Sequence, residues 1–364
     1  MRGVLLTMAA VTCAHAQWVI QQSHTTAGLR GIHNAGGGVV WTSGTEGTVL
    51  RTVDDGQTWQ TCAVPQGAEK LDFRGIQAFD ANTAIVMSSG TGTLSRLYKT
   101  VDACRTWRLV FTNPDESGFW DALQFNGRFG VLIGDQVSGH LPVFFSTDGG
   151  ETWGKLDQMA IPAEGKNQSF FAASNTSLLL DPRSKNFYLL TGGGNTSFIA
   201  VTLRLTAGAV CKECVHVSFA HPELAVGETA GGFSLASRLN GQNLVVVAVG
   251  GDYKAPDRTA GTAAYWIDDQ GHKGRWHAPD TPPSGYRSAV AYYAPGKTWI
   301  AVGPNGTDVS MDDGRNWRAL KPAAGQAPDA NRNWNALSLP FVAGPGGRIG
   351  KLAGRGPTNA TKGE

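Results

Sequence analysis

"FFSTDGGETWGKL", Phe144 to Leu156, sets an Asp, two Gly, a Thr and a Trp between apolar segments. Alone it is open to three readings: a catalytic loop, a metal loop or a turn. Recurrence decides among them, because self-similarity has to be read before any local motif. "RTVDDGQTWQT" (Arg51 to Thr61), "KTVDACRTWRL" (Lys99 to Leu109) and "VSMDDGRNWRAL" (Val309 to Leu320) carry the same pattern, Ser/Thr-x-Asp-x-Gly-x-Thr-Trp. Cys104 takes the Gly place once, and Asn316 takes the Thr place once. "WIDDQGHKGRW" (Trp266 to Trp276) reads as a stretched copy.

Each element of the pattern has a physical task. The carboxylates of Asp54, Asp102, Asp148 and Asp312 can accept backbone N–H groups of their own turn. Gly56, Gly150 and Gly314 allow positive φ at little steric cost. Trp59, Trp107, Trp153 and Trp317 start the next strand and bury a large ring. An EF-hand calcium loop would need more carboxylates and a closing Glu, and one catalytic site is not repeated around a fold. The repeated stretch is therefore a hairpin corner.

The spacing counts the units. Trp59, Trp107 and Trp153 are separated by steps of 48 and 46, and Trp276 and Trp317 by 41. The gap of 123 from Trp153 to Trp276 holds one further unit, with "CVHVSFA" from Cys214 as its outer strand. Trp18 lies 41 before Trp59 and heads an outer strand whose partners lie at the far end, Asn333 to Gly354. Seven units of short alternating strands and Gly-rich turns describe an all-β, seven-bladed β-propeller, with the N-terminal strand closing the last blade. Ring closure removes the exposed sheet edges that an open stack would present. The 48 Gly among 364 residues fit many tight turns. The expected organisation is a signal peptide over 1–16, one propeller over 17–354 and a frayed tail over 355–364.

Residues 1–16 have the form of a secretory signal: Arg2, an apolar run from Val4 to Val11, and Ala14-His15-Ala16 as a small-x-small cleavage site. Cys13 follows Thr12, a poor residue for a lipidation box. The mature chain is expected to be exported, periplasmic or secreted, and monomeric. A net charge of +2 with no basic run interleaved with aromatics excludes a nucleic-acid partner. No later apolar run is long enough to span a bilayer. Four Cys remain after cleavage and permit two disulfides. Of the three pairings, Cys62–Cys104 with Cys211–Cys214 is preferred. The Cys211–Cys214 pair lacks the helix N-terminus that a thioredoxin-type site needs. One CxxC lacks two further metal ligands, so no metal and no cofactor are expected.

The boxes resemble the BNR/Asp-box repeats of sialidase-like propellers. "LRGIH" (Leu29 to His33), "FRGIQAF" (Phe73 to Phe79) and "GYRSAVAY" (Gly285 to Tyr292) each open a unit before its inner strand. Together with the boxes they resemble the photosystem II stability/assembly factor family and its relatives in non-photosynthetic bacteria. The resemblance implies a non-catalytic scaffold that binds a partner protein.

In a propeller the inner strands begin beside the channel, on the face opposite the boxes. The residues expected there are Arg30, Arg74, Trp120, Phe170, Gly232, Arg287 and Trp334. Arginine supplies a planar donor fork for a carboxylate or phosphate, and Arg and Trp are common binding anchors. These arginines either bind a partner protein or an anionic, carboxylate- or sugar-bearing ligand, or pair with Glu46, Asp135 and Asp252 of same-face loops. Two longer loops, Gly134 to Pro142 and Gly250 to Thr262, add His140, Asp252, Tyr253 and Arg258. The alternative function is a sialidase-like glycoside hydrolase or carbohydrate-binding propeller. Its set would be Arg30, Arg74 and Arg287 on a substrate carboxylate, Tyr253 or Tyr286 as nucleophile, Glu46 beside it, and Asp135 as acid. A surface or adhesion module is the third reading.

Overall fold

The structure, a computed structural model, describes residues 17–156, 161–206, 209–241, 243–269, 272–322 and 325–353; over 204–206, 209–214, 268–269 and 272–273 it describes backbone alone. The expected signal peptide, the tail and the side chains of Cys211 and Cys214 lie outside the described residues.

Seven four-stranded antiparallel sheets form a β-propeller. Blade one comprises Leu29–Gly36, Val39–Gly44, Val49–Thr52 and Gln60–Thr61. Blade two runs from Phe73–Ala78 to Arg108–Thr112, and blade three from Trp120–Asn126 to Gly154–Lys155. Blade four runs from Leu178–Leu180 to Ala209–Ala220, blade five from Ala230–Asn240 to His272–His277, and blade six from Ala289–Tyr293 to Arg318–Ala319. Blade seven is built from both chain ends: Trp18–Gln21 pairs antiparallel with Ile349–Leu352. The Trp18 ring packs 6.1 Å from Trp334, and its Nε1 donates to Thr307 of blade six at 3.2 Å. That buried tryptophan is the clasp of the ring.

Each blade is covered on both faces by its neighbours, so the core lies between blades and successive residues of a strand face two different interfaces. Blade one, for example, contributes Trp41 and Val49 to one side of the interface, against Phe73, Ile76 and Val86 of blade two. Residues of the middle strands are almost entirely buried, as in Ala84–Ser88 and Phe129–Gly134.

The four boxes are turns closed by their own side chains. Thr52 Oγ1 donates to Asp54 at 2.7 Å and accepts from the Gly56 N–H at 3.0 Å. Asp54 also accepts from the Thr58 N–H and hydroxyl, at 2.9 and 2.5 Å. Ser146–Asp148–Thr152 and Ser310–Asp312–Asn316 repeat this network. Gly56 has φ +84°, and Cys104 holds the same place at φ +61°. The strain a side chain pays there accompanies a bond: Cys104 forms a disulfide with Cys62, just past the outer strand of blade one. Trp59 and Trp317 are buried as expected, whereas Trp107 and Trp153 are only half-buried.

The stretched copy is a correction. Trp266 to Trp276 is a hairpin in register, Trp266 opposite Trp276 and Asp269 opposite His272. Blades four and five replace the box by long hairpins, up to the 12-residue strand Ala209–Ala220.

Candidate functional site at the channel mouth

A β-bulge recurs at the head of the inner strand. Register shifts fall between Leu29 and Gly31, Phe73 and Gly75, Trp120 and Ala122, and Gly232 and Ser234. The extra residues are Arg30, Arg74, Asp121 and Phe233. A bulge leaves one residue outside the ladder and re-aims its side chain. Here it sends Leu29, Phe73 and Trp120 into the blade interfaces, and after the first two it frees Arg30 and Arg74 for the channel mouth.

Three expected site residues therefore need correction. Trp120 is fully buried and stacks on Phe111 at 5.3 Å; Trp334 is equally buried under the Arg348 guanidinium. Trp120 precedes the bulged residue, Asp121, by one. Arg287 is offset in the same way. Its N–H donates to the Gly250 carbonyl at 3.0 Å, as Leu29 donates to Gly344 and Trp334 to Gly303. Arg287 therefore occupies the interface position of Leu29 and Trp334, where its side chain is 0% exposed. It is bonded to Asp308, Asn305, Ser284 and the Tyr286 carbonyl. One residue of register moves a side chain to the other face of its strand. Phe170 is buried too, and Gly232 offers no side chain.

Arg30 and Arg74 do reach the mouth, with side chains 35% and 28% exposed. They share one counter-ion from blade two: Asp72 Oδ2 lies 2.7 Å from Arg74 Nε and 3.6 Å from Arg30 Nε. Burial and the neighbouring Arg74 lower the Arg30 pKa, which marks mutual repulsion between the two guanidiniums. Arg30 Nε has no hydrogen-bond partner among the described residues.

The floor of the mouth is the segment leading into blade four. Arg74 Nη1 donates to the Ala172 carbonyl at 3.4 Å, and Ser174 Oγ donates to the Ser288 carbonyl of blade six at 2.7 Å. Asn175 exchanges two hydrogen bonds with the Leu123 backbone of blade three, at 2.7 and 2.8 Å, and Thr176 meets Ser234 of blade five. Residues 172–176 thus touch blades two, three, five and six. They tie the segment leading into blade four to blades on both sides of the ring.

The acids expected to neutralise the arginines do something else. Asp135 accepts from the Ser169 hydroxyl and from the Phe170 N–H at 3.1 Å, and its carboxyl lies against Asp121. Asp121 is 1% exposed, and its Oδ2 has no hydrogen-bond partner among the described residues. Burial, then the Asp135 carboxyl, push the Asp121 pKa well up, while Arg74 works in the opposite direction. Burial also raises Asp135. Asp252 is held by Thr229 Oγ1 at 2.8 Å and the Lys254 N–H at 2.9 Å, and these bonds lower its pKa. Glu46 is exposed at a loop tip in left-handed backbone, and His140 Nδ1 faces the Ser138 carbonyl at 3.0 Å.

The sialidase set does not assemble. Arg287 is committed to Asp308, so a three-arginine cluster is not formed. Tyr286 is buried, and burial raises its pKa further. Among the described residues no group of three His, Cys, Asp or Glu is placed to hold a metal, and no helix is long and apolar enough to cross a membrane. Two aromatic side chains at the mouth, Phe171 and Phe233, escape sequence reading. A lone Phe in a loop or bulge carries no periodic signal.

No family model matches the chain, and no curated protein matches it. Solved structures do. YCF48 bound to D1 peptide superposes with a TM-score of 0.60 at 15% identity, over 93% of this chain and 97% of that one. The chain shares its fold with YCF48. YCF48 from Cyanidioschyzon merolae matches with a TM-score of 0.59 at 16% identity, over 93% and 99%. The GH74 xyloglucanase from Xanthomonas campestris also matches, with a TM-score of 0.59 at 17% identity over 92% of this chain. This chain spans 53% of that enzyme. The YCF48 matches, photosystem II assembly factor propellers, agree in fold with the resemblance drawn from the motifs.

Proposed function

We propose that this chain is an exported, non-catalytic propeller that binds an acidic segment of a partner protein at the mouth lined by Arg30 and Arg74. The observation that carries this reading is the sharing of Asp72. Two half-exposed guanidiniums lean on one carboxylate, and Arg30 Nε is left without a hydrogen-bond partner among the described residues. A second carboxylate would satisfy both forks. YCF48, of the same fold, has been seen with a peptide bound, which supports a protein segment as the ligand. The Cys62–Cys104 bridge supports an oxidising compartment, consistent with export through residues 1–16.

The test is crosslinking and pull-down in the native envelope fraction, comparing wild type with Arg30→Ala/Arg74→Ala. Loss of a specific partner from a variant with wild-type thermal unfolding supports the reading. An unchanged partner set removes the mouth from it. Absence of any partner, with binding to oligosaccharides, would favour a carbohydrate-binding propeller instead.

A further inference from the structure

The arginines occupy one half of the mouth; aromatic rings occupy the other. Phe171 and Phe233 stack at 4.0 Å with 2° between their planes. Tyr253 meets both edge-on, at 6.2 and 6.3 Å, and Tyr286 meets Phe233 edge-on at 4.7 Å. The four rings come from the segment leading into blade four, from blade five, and from the segment leading into blade six. The backbone beneath them is bare for a reason. Gly192 and Gly231 bridge one another, and a Cβ on either would strike the facing glycine and the Phe171 ring. Two glycines thus let Phe171 slide over the blade interface onto Phe233.

Exposure separates these rings into base and surface. Phe233 and Tyr286 are buried, Phe171 is half-buried, and Tyr253 is 45% exposed. Tyr286 interacts electrostatically with both Arg30 and Tyr253, so the aromatic and cationic halves adjoin. Rings locked by stacking present contact area at little entropic cost.

We propose that Tyr253 and Phe171 form a subsite for a ring-bearing side chain of the bound segment, one or two residues from the carboxylate held by Arg30 and Arg74. The occupant is an acidic peptide carrying Trp, Tyr, Phe or Pro beside its acid. The charge complementarity of the arginine half selects the acid, and the platform selects its neighbour. This rests on the peptide-binding reading above.

Fluorescence anisotropy with two labelled peptides, Gly-Ser-Asp-Trp-Glu-Gly and Gly-Ser-Asp-Gly-Glu-Gly, tests it on the full chain. Wild type is expected to bind the Trp peptide about tenfold more tightly. Tyr253→Ala should remove that preference and leave the Gly peptide unchanged. Arg30→Ala/Arg74→Ala should weaken both. Equal affinity of wild type for the two peptides, or a preference that survives Tyr253→Ala, overturns the aromatic subsite and leaves the mouth as a site for acidic segments. Failure of both peptides to bind, or binding indifferent to the arginine changes, overturns the peptide reading and the subsite with it.

Discussion

Cys104 occupies the glycine place of the second box and is disulfide-bonded to Cys62, whose Cα lies 5.3 Å away, at the end of the preceding blade. The bond ties two blades at their outer rim, and the Ala63 N–H adds a hydrogen bond to the Cys104 carbonyl at 3.2 Å. It closes a chain segment of 42 residues. Crosslinking restricts the unfolded chain, so Cys62→Ser/Cys104→Gly should cost about 3 kcal/mol. Part of that loss is recovered because Gly suits the left-handed turn. Denaturant unfolding of wild type with and without reductant checks this. Reduction should destabilise wild type more than it does the variant.

The box carboxylates predict acid sensitivity. Bonds from Thr52 and then Thr58 hold Asp54 at about 2, against 3.8 for the free side chain. Thr106, and then Thr100, do the same for Asp102. For Asp148 burial opposes the shift, but bonds from Thr152 and Ser146 prevail and leave it at about 2. A carboxylate with a depressed folded pKa stabilises above its unfolded value and ceases to as pH falls through the folded one. Thermal stability should therefore drop between pH 3.8 and about 2. Asp148→Asn should lower the melting temperature at neutral pH and flatten this acid limb, as read by circular dichroism.

Asp121 predicts the opposite slope. Its folded pKa is raised by burial and by Asp135. Its contribution is present in full below the unfolded value of 3.8 and is lost as pH rises through the folded value. Asp121→Asn keeps the shape and removes the proton balance. Its stability relative to wild type should increase as pH rises above 3.8 in denaturant titrations. An advantage that does not change with pH would count against the touching-carboxyl geometry.

Arg287 and Arg74 look alike in sequence and should behave differently on mutation. Arg287→Ala strands the buried Asp308 carboxylate and should cost about 3–5 kcal/mol. Arg287→Met/Asp308→Leu should recover much of it, since an apolar pair of similar volume removes the stranded charge. Arg74→Ala, at a half-exposed position, should cost less than about 1 kcal/mol. Denaturant midpoints of the three variants order these effects.

The sequence by itself determined the ring. Three boxes whose Trps lie 48 and 46 residues apart, a fourth at Trp317, and Trp18 one unit before Trp59 specify seven blades and their closure by the N-terminal strand. That information is local and periodic: each turn is closed by side chains within seven residues, so the chain displays it without tertiary context. The even cysteine count left three pairings open, and the fold decided that Cys62 meets Cys104 by bringing the end of blade one against the second box. Which side chains face the mouth was decided by tertiary structure alone. A bulge adds one residue at the head of four inner strands, and it is invisible in an alternating pattern whose side chains merely change sides. Arg30 and Arg74 are therefore freed, whereas Arg287, Trp120 and Trp334 turn into the blade interfaces. The aromatic platform was hidden for the same reason: Phe171, Phe233, Tyr253 and Tyr286 meet only because three stretches of chain converge on an axis that no sequence window spans.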